Sequence, residues 1–238
     1  MRVAIVHDWL YVIGGAERVL REFLRLYPGA DVFTLFDALT AEERAWIGYE
    51  RSNTSFLQRV PRIAKIHRSL LPLMPLAVEQ LDLSGYDLVI SSSCAVAKGV
   101  ITGPDQIHIA YVHSPMRYAW DLQHQYLRES GANRLTGALA RMMLHRIRLW
   151  DTCSSLRPNA IVANSAFVAR RIKKAFGRDV EVIHPPVEIA SSGTSLPRGV
   201  HFLAAGRLVS YKNTRAIVEA FRLLPNLKMV GSADANFC

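Results

Sequence analysis

Two cations five residues apart, Arg207 and Lys212, sit in the stretch Gly206-Arg207-Leu208-Val209-Ser210-Tyr211-Lys212-Asn213. The apolar run before it, residues 200–205, reads as a buried parallel strand. Residues 214–221 after it place Ile217, Val218, Ala220 and Phe221 on one helical face. Loops at the carboxyl ends of parallel strands are where open α/β sheets bind ligands, and a helix start offers unpaired N–H groups to an anion. Arg207 can grip two phosphate oxygens in a fork, and Lys212 can add a mobile point charge. The pair can be read as a diphosphate clamp; on spacing alone, a solvated basic loop beside an ordinary crossover is the plainer reading.

A second chemistry is offered by a histidine. Residues 106–112 read as a strand that delivers His113-Ser114-Pro115-Met116-Arg117-Tyr118 to a carboxyl edge. A histidine directly after a strand, held by Pro115, suits hydrogen bonding to a sugar hydroxyl or a proton relay near neutral pH. A histidine bonded to a backbone carbonyl in a tight loop is the structural alternative. Gly14 and Gly15 close a loop that begins at Asp8, just before a helix over 16–26. Paired glycines let backbone N–H groups approach a ligand closely, but the full G-x-G-x-x-G and P-loop patterns are absent. A turn with Glu17 capping the positive helix end accounts for the same residues.

These loops need elements to hold them. Residues 3–6 are apolar without interruption, as a strand buried on both faces would be. The helix over 16–26 turns Val19, Leu20, Phe23 and Leu24 inward. Further strands are expected over 31–36, 86–92 and 159–163, the last leading through Asn164-Ser165 into a helix over 167–176 that Gly177 stops. Residues 134–150 read as a long helix with Leu135, Leu139, Met142, Met143 and Ile147 on an apolar side and Arg134, Arg141, His145 and Arg148 as a basic stripe. Residues 51–81 join a basic segment (Arg59, Arg62, Lys65, His67, Arg68) to a proline-broken apolar one over 70–76. That texture fits a helical hairpin with one solvated face or contact with an anionic membrane surface. Residues 188–199, rich in Ser, Gly and Pro, read as a linker, and 227–231 as a second strand beyond it.

At 238 residues and 50% hydrophobic the chain can bury a substantial core. Cys94, Cys153 and Cys238 are scattered without C-x-x-C pairing, which argues for a reducing compartment and against a disulfide framework or a zinc site. The apolar run at the start is cut short by His7 and Asp8, too early for a signal peptide or a membrane span. A net charge of +9 favours anionic partners without choosing among nucleic acid, lipid and phosphorylated small molecules. A basic nucleic-acid-binding protein is disfavoured because no helix-turn-helix, zinc finger or RNP signature is present.

The octet 206–213, followed by Ala-Ile-Val-Glu-Ala-Phe at 216–221, resembles the donor-phosphate motif of the family 4 (group 1) glycosyltransferases, GT-B enzymes with two Rossmann-like domains facing each other across a cleft. His-Ser-Pro-x-Arg-Tyr at 113–118 is similar to the acceptor-side loop of mannosyl-type members, whose matching histidine faces the transferred sugar. Val-Ala-Asn-Ser-x-Phe-Val at 162–168 and Val-Ile-His-Pro-Pro-Val at 182–187 resemble the end of the family's N-terminal domain. In that family a glycine-rich loop at the place of Gly14 and Gly15 faces the donor phosphates and the acceptor.

The resemblance implies an α/β fold of GT-B type: one complete Rossmann-like domain with a parallel sheet over 1–187, a linker over 188–199, and over 200–238 the truncated opening β-α-β unit of a second, nucleotide-sugar-binding Rossmann-like domain. It implies a retaining transfer of a sugar from a nucleoside diphosphate sugar to an acceptor hydroxyl in glycan or polysaccharide synthesis, with GDP-mannose as the specific expectation. His113, Arg207 and Lys212 would be catalytic, Gly14, Gly15, Arg207 and Lys212 would bind the donor phosphates, and Arg117 and Tyr118 would lie on the acceptor side. No cofactor and no metal ion are expected, since there is no Asp-x-Asp cluster. The expected partners are the nucleotide sugar, a glycan or lipid-linked acceptor, and peripherally an anionic membrane, with a cytoplasmic location or one on the inner membrane face. The family's Glu-(any seven)-Glu motif has no counterpart, and the residues after Gly231 depart from its pattern. A non-catalytic remnant that binds acceptor or membrane is therefore the rival reading. A GT-B epimerase or phosphorylase fits the Arg207–Lys212 spacing and the His113 loop less well.

Overall fold

The computed structural model describes residues 1–129, 131, 133–187, 202–206, 213–222 and 227–230. The chain divides into two compact units, Met1–Val187 and Glu188–Cys238.

In the first unit seven strands form one sheet in which every pairing is parallel: β1 (Val3–His7), β2 (Asp31–Thr34), β3 (Ser52–Thr54), β4 (Leu88–Ser93), β5 (Ile107–Val112), β6 (Ala160–Ala163) and β7 (Glu181–Val182). Their order is β3-β2-β1-β4-β5-β6-β7. The chain therefore winds outward from β1 in one direction, returns, and winds outward from β4 in the other. The place where the winding reverses lies between β1 and β4, paired with His7 opposite Ser92. In open sheets of this kind ligands bind outside the carboxyl ends of the strands at that switch point.

The central strands β1 and β4 are buried along their whole length, as strands covered on both faces must be. Side chains alternate between the faces. Val3, Ile5, Leu88 and Ile90 join Leu20 and Leu24 of helix α1 (Gly15–Leu26) and Ile47 of α2 (Ala41–Ile47). Ala4, Val6 and Val89 join Leu57, Met74, Ala77, Val96 and Ile147 on the other face. Thr40 caps α2 by accepting the N–H of Glu43, and Gly48 ends it at φ +108°, a conformation that suits glycine.

Residues 56–79 do not form the expected hairpin. They run as four short turns: 3-10 turns at Phe56–Arg59 and His67–Leu73, and helices α3 (Ile63–Ile66) and α4 (Met74–Glu79). Pro72 has no N–H to continue a helical ladder and Pro75 opens the next helix, so the chain breaks there. Strand β2 stops at Thr34, two residues before its expected end, because the Leu35 N–H turns to the Asp8 carbonyl and the Phe36 carbonyl accepts from Leu10.

Past β5, α5 (Gln123–Glu129) and the long α6 (Arg134–Ser154) precede β6, and α7 (Ala166–Phe176) follows it. Ser165 caps α7 at the Val168 N–H, and Gly177 ends it with a positive φ. The apolar side expected of α6 is largely wrong. Leu135, Leu139 and Met142 are exposed, and of the expected five only Ile147 is fully buried. The face that turns inward instead carries Gly137, Ile147, Asp151 and Ser154. Asp151 is drawn in because Lys98 forms a fully buried ion pair with it and the Trp120 indole N–H donates to its second oxygen at 2.7 Å.

The second unit contains β8 (Phe202–Ala205), α8 (Thr214–Ala220) and β9 (Leu227–Val230), a strand–helix–strand unit with β8 and β9 parallel. The Phe202 and Phe221 rings lie 5.2 Å apart.

Candidate active site at the strand switch point

Three strands deliver polar side chains to one edge. His7 ends β1, Ser92 lies next to the end of β4, and His113 follows β5, its N–H donating to the Ser93 carbonyl at 2.8 Å. His7 has the parity of Val3 and Ile5, and Ser92 that of Leu88 and Ile90, so both turn toward the α1 face. Glu17 in the first turn of α1 completes the group.

The four side chains form a chain of contacts. Glu17 Oε1 lies 3.4 Å from His7 Nε2, His7 Nδ1 lies 3.0 Å from Ser92 Oγ, and Ser92 Oγ lies 2.8 Å from His113 Nε2. His7, Glu17 and Ser92 are buried. Burial pushes the His113 pKa down to about 4, aided by the charge of His7 and opposed by Asp8 and Glu17, so the ring is neutral at physiological pH. Burial raises the Glu17 pKa, but the hydrogen bond and charge of His7 and the N–H groups of Glu17 and Gly14 outweigh it and hold the carboxyl below its ordinary value. The backbone of the His113 loop is fixed separately: the Asn164 amide donates to the His113 carbonyl at 3.0 Å, Arg171 donates to Ser114 Oγ at 3.2 Å, and Met116 is buried in the core.

The two glycines differ in what they permit. Gly14 is extended, its N–H donating to Glu17 Oε2 at 2.8 Å, and a Cβ there would come within 3.1 Å of that oxygen. Glu17 thus does cap the helix, as the structural reading held. A Cβ at Gly15 would meet nothing within 4 Å, which leaves the start of α1 open to an approaching group.

Arg117 and Tyr118 are half-buried beyond His113. The Tyr118 ring packs against the core and edge-on to Tyr126 at 6.3 Å, and burial raises its pKa well above the ordinary value. His113, Gly14 and Gly15 are therefore gathered about one switch point. Arg207 and Lys212 lie outside the described residues; the flanking Gly206 and the Asn213 that precedes α8 are described. Among the described residues no three His, Cys, Asp or Glu side chains gather as a metal ion would require. No helix among them is long and apolar enough to cross a membrane.

Sequence reasoning did not assign His7, Asp8 or Ser92 a role. The signal present was a His-Asp pair and a run of serines ending two strands otherwise apolar throughout. Asp8 faces away from His7 and accepts four backbone N–H groups, from Cys94 to Ala97, at 2.5, 2.9, 2.7 and 2.7 Å. It thereby holds the turn that follows β4.

A doubly wound parallel sheet with polar side chains gathered at its switch point defines a Rossmann-like domain. Residues 13–191 match the model of Glycosyltransferase Family 4, and the chain belongs to that family. Its α/β fold is that of the GT-B glycosyltransferases. The crystal structure of Anabaena HepE in complex with UDP-glucose superimposes with a TM-score of 0.56 at 15% identity, covering 96% of this chain and 60% of that one. HepE in complex with UDP gives 0.52 at 14% identity, covering 99% of this chain and 70% of that one. The chain thus spans about 60% of the length of the HepE chain bound to UDP-glucose. No curated protein matches it.

Proposed function

We propose that the protein transfers a hexose from a nucleoside diphosphate sugar to an acceptor hydroxyl with retention of configuration at the anomeric carbon. The observation that carries this reading is the His113–Ser92–His7–Glu17 chain at the switch point of a family 4 domain. The bond from the anomeric carbon to the diphosphate breaks and a new bond to the acceptor oxygen forms. Negative charge grows on the departing diphosphate, and Arg207 and Lys212 stabilise it there as preplaced cations. His113 orients the sugar through a hydroxyl, the open approach at Gly15 admits the donor phosphates, and Arg117 and Tyr118 border the acceptor. Mannose is the sugar we favour, because the loop at 113–118 resembles that of mannosyl-type members; HepE, by contrast, has been crystallised with UDP-glucose. These roles need no metal ion and no cofactor beyond the donor itself.

The test is donor binding and turnover with GDP-mannose and UDP-glucose. We expect GDP-mannose to bind and be turned over, and the R207A/K212A double variant to lose at least a hundredfold in turnover with its fold intact. If neither donor binds, the transferase reading fails; turnover unchanged in the double variant removes the clamp.

The acceptor we propose is lipid-linked and is met at an anionic membrane surface. Leu135, Leu139, Met142 and Leu149 of α6 are exposed beside Arg134, Arg141, His145 and Arg146, and an apolar row flanked by cations suits a negatively charged interface. Sedimentation with vesicles should show binding when phosphatidylglycerol is present and little with phosphatidylcholine alone. Equal partition to both sinks the membrane contact.

A further inference from the structure

Glu17 does more than a helix cap requires. Its Oε2 takes the Gly14 N–H at 2.8 Å, which is the capping bond, while Oε1 turns inward toward the buried His7. We propose that Glu17 is a positioning residue for His113, acting through His7 and Ser92 to fix which nitrogen of the His113 ring carries the proton. The proposal rests on the reading above, in which His113 meets the transferred sugar.

Donor and acceptor counting along the chain gives the assignment. An ionised carboxylate only accepts, so the His7 nitrogen facing Glu17, Nε2, bears the hydrogen. With a single ring proton, placed there, His7 has a bare Nδ1, which accepts the hydroxyl proton of Ser92 across 3.0 Å. That proton is the only one Ser92 has. Its oxygen can therefore only accept from the ring on its other side, and His113 Nε2 must be the N–H, at 2.8 Å. His113 is neutral, so its Nδ1 is left with a lone pair. That nitrogen has no hydrogen-bond partner among the described residues. It is thus set to accept a hydrogen bond from a substrate hydroxyl rather than to donate one.

The opposite order at Ser92 and His113 arises in two ways, and the first is a second proton on His7, which makes its Nδ1 a donor to Ser92. In the second, the group at position 17 donates to His7 instead of accepting, and every link reverses. His7 Nδ1–H then donates to Ser92, Ser92 donates to His113 Nε2, and His113 Nδ1 becomes an N–H. A glutamine at 17 would do this. Its single carbonyl oxygen is held by the Gly14 N–H, so its amide hydrogens face His7. A purely structural Glu17 would leave the His113 tautomer alone.

The experiment is ¹⁵N NMR of the imidazole rings in the protein without ligand, where the two tautomers have separate shifts. In the wild type we expect the Nε2–H form at both His7 and His113. In E17Q we expect His113 to change to the Nδ1–H form, with kcat for transfer down about tenfold or more and donor KM within about twofold. An Nδ1–H form of His113 in the wild type overturns the proposal without any variant, which covers the case in which E17Q fails to fold. An unchanged His113 tautomer in folded E17Q overturns it as well. The NMR result does not depend on catalysis, so full turnover in H113A would remove the sugar-binding role of His113 while leaving the tautomer assignment to be judged by the ring shifts alone.

Discussion

On the α1 face of the sheet, Glu17, His7, Ser92 and His113 make a polar chain that runs from a helix start to a ring nitrogen with no hydrogen-bond partner among the described residues. On the opposite face the buried polar groups are turned into the interior. Asp8 is consumed by four backbone N–H groups, Asp151 is shared between Lys98 and Trp120, and His108 pairs with Ser91 at 2.8 Å. The contrast is sharpest between neighbours: Ser91 and Ser92 are adjacent on β4, each holds a histidine at 2.8 Å, and they point to opposite faces. His108 is wholly buried and its remaining nitrogen, Nδ1, has no hydrogen-bond partner among the described residues. His113 sits at the strand end, half-buried, in a loop held from both sides. A polar network sealed in the interior can only stabilise the fold; one that reaches a half-buried strand end can act on a ligand.

The largest effect that separates the faces is expected at Asp8. Replacing it with alanine leaves the N–H groups of Cys94 to Ala97 without their acceptor, three of those bonds being buried. Each stranded donor costs on the order of 1–3 kcal/mol, with some relief from entering water. D8A should therefore lose about 4 kcal/mol or more, a large part of an ordinary domain's stability. E17Q, which keeps its cap, should lose no more than about 1 kcal/mol. Urea unfolding followed by circular dichroism measures both. A D8A midpoint equal to that of the wild type would show that the closed face is not held by Asp8.

How much of this was legible in the sequence depended on how local the cause was. The central strands and the placement of Gly14, Gly15 and His113 at strand ends follow from short apolar runs and the residues that stop them. The link from His7 to Ser92 could not be read, because it exists only when β1 and β4 are neighbours, 85 positions apart, and strand order is not written in either strand. The same holds for Asp8 and the turn at Cys94–Ala97. Helix α6 misled for a different reason. Apolar periodicity assumes that the buried face is the apolar one, whereas here a charged pair, Lys98 with Asp151, set the rotation and left Leu135, Leu139 and Met142 outside.

A smaller effect, shared by both faces, distinguishes them by mutation. Burial lowers the pKa of His108 to about 4, with the Arg157 charge adding to it, and that of His113 falls to the same value. The unfolded chain takes up a proton at each histidine near pH 6.5, while the folded chain refuses it until about pH 4. Below pH 6.5 the unfolded state therefore binds more protons, and stability, complete above that pH, falls as pH descends toward 4. Between pH 7 and pH 5 each histidine accounts for about 2 kcal/mol of the loss. H108L should remove its share of the slope and leave donor turnover at pH 7.5 near that of the wild type, because Ser91 and His108 lie off the α1 face. H113N should remove a similar share of the slope but take turnover with it. Urea midpoints at pH 7.5, 6.0 and 5.0, set beside turnover of the same three proteins, decide the matter: a fall in turnover for H108L as large as that for H113N would mean that the two serine–histidine pairs are not divided between structure and function.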